Sequence, residues 1–320
     1  MDEISEICSK VLALLEEAVK RNLSEGILLS GGLDTSILAA LASRHVSLKA
    51  FTIGFDGAPA PDINYASMLS SKLRLKHIIH CFDEHELQEA IKRVIEIEKS
   101  FDPMEVRNSV VIYVGLKVAK EHGVSSIMTG DGCDELFAGY SFLFNLGEEE
   151  LNSALQKLWN TMHFSSIDLA GALGLEIKLP FLDPEVKSFA MSLNSKYKVR
   201  REKGKVYGKW ILRKSFEGIL PDEILWRDKM PIEGGSGTAI LPELFDRRIS
   251  DIEFEGKRRE YLEKDGVLIK SKEQLFYYEV YRSIVGTPRP IDLNGKVCPY
   301  CRSNVAAEAI YCRTCGAYPI

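Results

Sequence analysis

A chain of 320 residues with 45% hydrophobic content has enough apolar mass for one large α/β domain or two ordinary domains, so length alone excludes little. A formal net charge of −5 excludes the overall basic excess of a dedicated nucleic-acid binder, though a local basic patch stays open. No run approaches the roughly 20 apolar residues that span a bilayer, and the acidic opening MDEISEICSK is unlike a signal peptide, so a cytoplasmic protein without membrane attachment is expected.

In chain order, residues 2–22 place Ile4, Ile7, Val11, Leu14, Leu15 and Ala18 at helical spacing and predict an amphipathic helix. Ile27, Leu28 and Leu29 then form a short apolar run beside glycines, the pattern of a strand buried on both faces. LKAFTIGF, from Leu48 to Phe55, predicts a second strand, NYASMLSSKLRL a helix, and KHIIHCF a third strand. HELQEAIKRVIEIEKS and NSVVIYVGLKVAKEHG predict two further helices, the second stopping at Gly123. VSSIMTG predicts a fourth strand, which runs into DGCDELFAGY.

Alternating strands and helices predict a largely parallel sheet. In such a sheet the loops after strands one and four face one crevice. From about Leu151 the pattern becomes mainly helical, with SFAMSLNSKY and KWILRKSFEGIL the clearest segments, and GTPRPIDLNGK reads as a linker. The expected domains are 1–290, with a sheet part at about 20–140 and a helical part at about 150–285, and a small module at 291–320.

Two stretches carry chemistry. In SGGLDTS, Gly31 and Gly32 permit a tight turn whose free amides, with the positive end of the following helix, suit a phosphate. Ser30 and Ser36 add hydroxyls, and Asp34 offers a carboxylate to a phosphate-bridging magnesium ion. The loop lacks both the lysine of G-x-x-x-x-G-K-[ST] and the G-x-G-x-x-G spacing, so it is not a kinase-type phosphate loop. The ordinary alternative is that Asp and Ser merely cap a helix. At the other end, Cys298 and Cys301 with Cys312 and Cys315 give C-x2-C, ten residues, C-x2-C, which suits closed tetrahedral zinc. Such a module is too small to fold on apolar burial alone, so the metal would supply much of its stability.

SGGLDTS resembles the S-G-G-x-D-S loop of ATP pyrophosphatases, with Thr35 at the usual serine position. Together with FTIGFDGAPAPDINYASMLSSKL, TGDGCDELFAGY, GLEIKLPFLDPEVKSFAMSL and KWILRKSFEGILPDEILWRDKMP, over about residues 20–245, it is similar to the synthetase domain of class B asparagine synthetases and β-lactam synthetases. The resemblance implies an adenine nucleotide alpha hydrolase-like, Rossmann-like α/β fold. It also implies an amide-bond ligase that uses magnesium-ATP to adenylate a carboxylate, aspartate being the candidate, before an amine displaces AMP.

Carried over where motifs match, Ser30, Gly31, Gly32, Asp34, Thr35 and Ser36 would cradle pyrophosphate, with Asp34 and Asp134 as magnesium ligands. Thr129, Gly130 and backbone near Leu28 and Ile53 would hold adenosine. Lys229 would stabilise the charged transition state, with Lys209 or Arg213 as further phosphate contacts and a solvated basic face as the alternative for all three. Asp131 stands where the family has glutamate, a shortening of roughly 1.5 Å that bears on general-base or positioning work. Ser165 and Lys178 each stand where the family has arginine; Asp183 is retained, with helix capping as its other reading, and Arg107 falls in a segment comparable to a substrate-facing one.

About 20 residues precede the first strand and Asp2 follows Met1, so no glutamine-hydrolysing domain is expected. Ammonia would come from solution or a separate glutaminase, or another amine would be the nucleophile, and a homodimer is a candidate assembly. Tyr300, Tyr311, Tyr318, Arg302 and Arg313 make tRNA or protein contact through the zinc ribbon a candidate role. Two alternatives stay open: a tRNA-modifying relative with the same loop, and a non-catalytic nucleotide- or protein-binding module.

Overall fold

The computed structural model describes residues 2–292 and 294–320. Met1, and Leu293 inside the expected linker, lie outside the described residues. Five strands, β1 (Gly26–Leu28), β2 (Lys49–Phe55), β3 (Lys76–Phe82), β4 (Ser126–Met128) and β5 (Glu176–Lys178), form one sheet in the order β3-β2-β1-β4-β5. β1 runs parallel to β2, with Ile27 opposite Ala50, and to β4, with Ile27 opposite Met128; β4 runs parallel to β5. The strand order reverses between β1 and β4, which makes the ends of those two strands the crevice of the sheet.

Contacts divide the chain into two units. The first holds the residues up to Ile53 with Pro61–His80 and Gly115–Pro231; the second holds Gly54–Ala60, Cys81–Val114 and Ile232–Ile320. In the first, β1 and the helix Leu33–Ala42 bury Ile27, Leu29, Ile37, Leu38 and Leu41 against Val11, Leu15 and Val19 of the opening helix Glu3–Arg21. In the second, helix Glu84–Glu98 buries Leu87, Ile91, Val94 and Ile95, and Phe101 packs edge-on against Tyr278 and Tyr281 of helix Lys272–Ile284.

The mainly helical reading after Leu151 misses three strands. β5 has three residues with both ends charged and sits at the sheet edge, so it has no apolar run to announce it. Within the basic run 196–214, Arg200–Glu202 pairs antiparallel with Lys205–Tyr207 across Lys203 and Gly204, both at positive φ, the hairpin turn that matches strand twist. SFAMSLNSKY is also not one helix. The helix Pro184–Ser192 ends before a separate 3-10 turn at Ser195–Tyr197.

Candidate active site

The crevice is built on the turn after β1. Gly31 has φ +67°, and a Cβ there would lie 2.5 Å from the Ala66 nitrogen, so glycine alone lets the chain pass this close to the helix Asp62–Leu73. The turn is tied by its own hydroxyls: Thr35 Oγ1 accepts from the Ser30 amide at 3.3 Å and lies 3.2 Å from Ser30 Oγ, which accepts from the Gly32 amide. Gly32 caps the helix Leu33–Ala42 with no side-chain bond, leaving helix-start amides for a ligand. Ser36 Oγ is fully buried and has no hydrogen-bond partner, a costly state for a hydroxyl unless something binds it.

Around this turn the fold brings together charges far apart in sequence. Lys209 Nζ donates to both oxygens of Asp34, at 2.7 and 2.6 Å, and forms an ion pair with Asp134 Oδ1 at 2.6 Å. That Asp134 oxygen receives no aligned hydrogen bond, while Oδ2 is held by Lys229. Burial pushes the Asp134 carboxyl up, but Lys209 and Lys229 outweigh it and hold the group at about 2. Burial pushes Lys209 down, and the charges of Asp134 and Asp34 more than reverse that. Lys209, the first residue of KWILRKSFEGIL, precedes a short helix, Trp210–Ser215, from the left-handed region, and that helix ends well before Leu220.

On the β4 side, Thr129 Oγ1 donates to Asp131 at 2.7 Å and Ser166 Oγ donates to the same carboxylate. Burial raises the Asp131 carboxyl against the pull of both hydroxyls. The Thr129 amide is taken by Lys178 O of β5. Gly130 sits against Asp34, since a Cβ there would come 2.9 Å from Asp34 Cβ. Leu28 and Ile53 both abut Gly115, where a Cβ would lie 2.8 and 3.1 Å from their side chains. Glu135 is raised by burial and accepts from Tyr140, whose ring lies beneath the Lys229 ammonium.

Three residues of the crevice have no role in the sequence reading, although Asp62 and Arg227 lie inside its quoted blocks. Arg227 donates to Asp62 Oδ1 at 2.7 Å, reaches Ser30 O at 3.4 Å and lies 3.9 Å above the Tyr65 ring. Ser166 is the partner of Asp131. The signals for Arg227 and Asp62 were their neighbours: Arg227 lies two places before Lys229, and Asp62 follows the Pro/Gly-rich loop after β2.

Other expected residues have structural work. Asp183 is gripped by Arg21 at 2.9 and 2.8 Å and accepts from the Glu185 amide, so it caps the helix Pro184–Ser192. Arg213 is buried and donates to the carbonyls of Gly208, Leu225 and Arg227. Lys178 pairs with Glu176, and Arg107 with Glu273 at 3.3 Å. The basic run is largely occupied from within: Lys198 lies over Trp159, Arg200 over Trp210 and Lys203 over Trp226, and Lys205 pairs with Asp228.

The family model described as Asparagine synthase matches residues 10–165 and 146–289, most of the chain. The chain belongs to the asparagine synthase family. Among curated relatives, a probable glutamine-hydrolyzing asparagine synthetase of Schizosaccharomyces pombe is 30% identical over 308 residues, covering 82% of this chain and 53% of that protein. A counterpart from Dictyostelium discoideum is 30% identical, covering 86% and 56%. Asparagine synthetase B of Escherichia coli is 29% identical, covering 86% and 53%. The chain spans about half the length of the curated relatives it matches.

A second candidate centre lies in the second unit. The sulfurs of Cys298, Cys301, Cys312 and Cys315 all lie within 4.8 Å of one another, and all four residues are buried. Cys298 and Cys315 sulfurs are 3.8 Å apart, and those of Cys301 and Cys312 3.6 Å. Four sulfurs placed tetrahedrally at the usual zinc–sulfur distance have edges of about 3.8 Å, whereas a disulfide would bring two of them to about 2 Å. The Tyr300 amide points at Cys298 Sγ from 3.4 Å.

Proposed function

We propose that this asparagine synthase family chain is an ATP-dependent, AMP- and pyrophosphate-forming amide synthetase that activates a small carboxylate, aspartate being the leading candidate. The observation that carries the reading is the convergence of two helix-start carboxylates on one buried ammonium, with an unpartnered serine hydroxyl in the same helix as Asp34. Asp34 and Asp134 meet at a single ammonium, and Ser36 Oγ, two residues on from Asp34, is buried without a hydrogen-bond partner. Residues 1–290 form the synthetase part and 291–320 a zinc ribbon in this reading.

The substrate carboxylate oxygen attacks the α-phosphorus of ATP, and the bond to the β-phosphate oxygen breaks to release pyrophosphate. An amine nitrogen, ammonia in the simplest case, then attacks the acyl carbon, loses a proton and expels AMP with the former carboxylate oxygen. The amides of Ser30 to Gly32 and the helix start, with the hydroxyls of Ser30, Thr35 and Ser36, receive the departing pyrophosphate. Asp34 and Asp134 fit as magnesium ligands, because their oxygens already surround one cation; magnesium would neutralise phosphate charge there. Lys229, partly exposed beside Asp134, and Lys209 supply further positive charge to the leaving group. Thr129, Gly130 and backbone at Leu28 and Ile53 flank the adenosine.

Asp131 is the candidate base or positioning group for the second step. Burial raises its carboxyl above the ordinary aspartate value, the direction that makes a carboxylate a stronger base. A carboxylate shorter than the family's glutamate, bonded by the buried Ser166, favours a substrate that differs in size from aspartate as the runner-up within the same chemistry. The tRNA-modifying reading draws little from the basic run, whose cations are mostly partnered internally.

No helix among the described residues is long and apolar enough to cross a membrane. We place the protein in the reducing cytoplasm, where four thiols remain available to zinc. The test is pyrophosphate release from magnesium-ATP with aspartate and ammonia, with other amino acids, and with total tRNA in separate reactions. Release with aspartate and ammonia that yields asparagine supports the leading reading, and release with another carboxylate reassigns the acceptor. Asp34→Ala should abolish turnover; full activity in that variant would overturn the site.

A further inference from the structure

The four-cysteine module does not present its knuckles to solvent alone. Within the second unit its backbone carbonyls act as acceptors for two distant segments. The Phe101 amide donates to Thr314 O at 2.7 Å, and Ser100 Oγ donates to Arg313 O at 2.7 Å. Gln274 Nε2 donates to Cys315 O at 2.8 Å, and the Leu268 amide donates to Tyr300 O at 2.8 Å. Every one of these acceptors lies inside one of the two C-x2-C loops, whose shape is set by what the four sulfurs bind.

Side chains reinforce the same seam. Tyr311, a candidate RNA contact by sequence, gives its hydroxyl to Asp102, and the Tyr300 ring lies 4.1 Å beneath the Lys270 ammonium. Gly316 has φ +74°, and a Cβ there would stand 2.4 Å from Asp102 Oδ1, so this knuckle closes directly onto the carboxylate. Asp102 in turn accepts from the Met104 amide at 3.0 Å, in the first turn of the helix Pro103–Glu121. The next turn carries Arg107, whose guanidinium bonds Pro103 O and pairs with Glu273.

We propose that the metal-loaded cysteine module is an intramolecular clamp, whose partner is the 100–107 turn and the 268–274 segment of its own chain. This rests on the metal reading of the four cysteines. Ser100, Asp102 and Gln274 are its positioning residues. Loss of the metal frees the two knuckles, because the module has little apolar burial to hold them. The carbonyl acceptors of Phe101, Ser100, Leu268 and Gln274 then disperse, and the helix start that carries Arg107 loosens with them.

The experiment uses the full chain, with zinc content measured before and after chelation and again after re-addition of zinc. Hydrogen–deuterium exchange is followed in peptides covering 99–108 and 266–275, with 26–42 as the control. The clamp requires one metal per chain and exchange about ten-fold or more faster in both test peptides after stripping, reversed by zinc. A chain that binds no metal overturns the metal reading and the clamp together. One equivalent bound, with protection unchanged on stripping, overturns the clamp alone. If stripping also loosens the control peptide, the double variant Ser100→Ala, Gln274→Ala decides: it should keep its metal yet exchange faster at 99–108, and unchanged exchange there refutes the clamp.

Discussion

Replacing Lys209 by methionine tests the centre of the crevice, because it nearly keeps the length of the side chain and removes the one charge that Asp34 and Asp134 share. The Lys209 side chain is 6% exposed, and those of Asp34 and Asp134 are 18% and 17% exposed. Since each carboxylate reaches Nζ within 2.7 Å, their nearest oxygens are no more than about 5 Å apart. Two negative charges at that separation repel by roughly 3 kcal/mol at an effective dielectric of 20, and breaking a buried ion pair costs about 3–5 kcal/mol. The variant should therefore lose about 3 kcal/mol at pH 7 without divalent metal, read as a lower urea midpoint by tryptophan fluorescence.

The pH dependence gives that loss its signature. Without Lys209 the pair is relieved by binding a proton, so one carboxyl pKa rises above its unfolded value in the folded variant. Stability is then fully present below the unfolded pKa and is lost as pH rises through the folded one, and the deficit against the parent protein should shrink toward pH 4.5. Magnesium at pH 7 should recover part of the loss in the variant by taking the same place between the carboxylates. A loss under about 1 kcal/mol, independent of pH and magnesium, would refute the shared-charge account of this site.

Gly31→Ala places a side chain at φ +67° and a Cβ 2.5 Å from the Ala66 nitrogen, so the turn must shift by about 1 Å to reach ordinary contact. Pyrophosphate formation should fall by about 100-fold or more with the far-ultraviolet circular dichroism unchanged, and parental kcat/KM would count against the turn as the pyrophosphate cradle. Glu273 is raised to about 7, first by burial and further by Asp102 and Asp246, against the pull of Arg107 and the Tyr277 hydroxyl. Its folded pKa exceeds the unfolded value, so its contribution is present below about 4.5 and is lost as pH climbs through about 7. Glu273→Gln should remove up to roughly 3 kcal/mol of that decline; a thermal midpoint that falls with pH as steeply as in the parent would refute it.

Several features were legible before any coordinates because they depend on neighbours in the chain. A buried apolar run followed by Ser-Gly-Gly needs only local sterics to become a strand, a turn with free amides and a helix. Asp34 and Asp134 could be assigned to one crevice because parallel strands place their carboxyl-end loops on one side. The spacing of the two C-x2-C pairs was enough to expect their four sulfurs to cluster.

Tertiary structure decided the rest, where partners lie far apart or the local signal is weak. β5 is too short and too polar to announce itself, and it exists because β4 offers an open edge. Lys209 reads as one cation in a basic helix, yet its left-handed backbone and its carboxylate partner 175 positions away make it the charge at the centre of the site. The tyrosines and arginines of the cysteine module offered contact with an external partner as one candidate role, whereas the fold turns Tyr311 and both knuckles onto residues 100–102 and 268–274 of the same chain. Local sequence sets which groups a segment can offer; which group meets them is set by burial, where an unpaired polar atom is costly and the chain supplies its partner from wherever packing brings it.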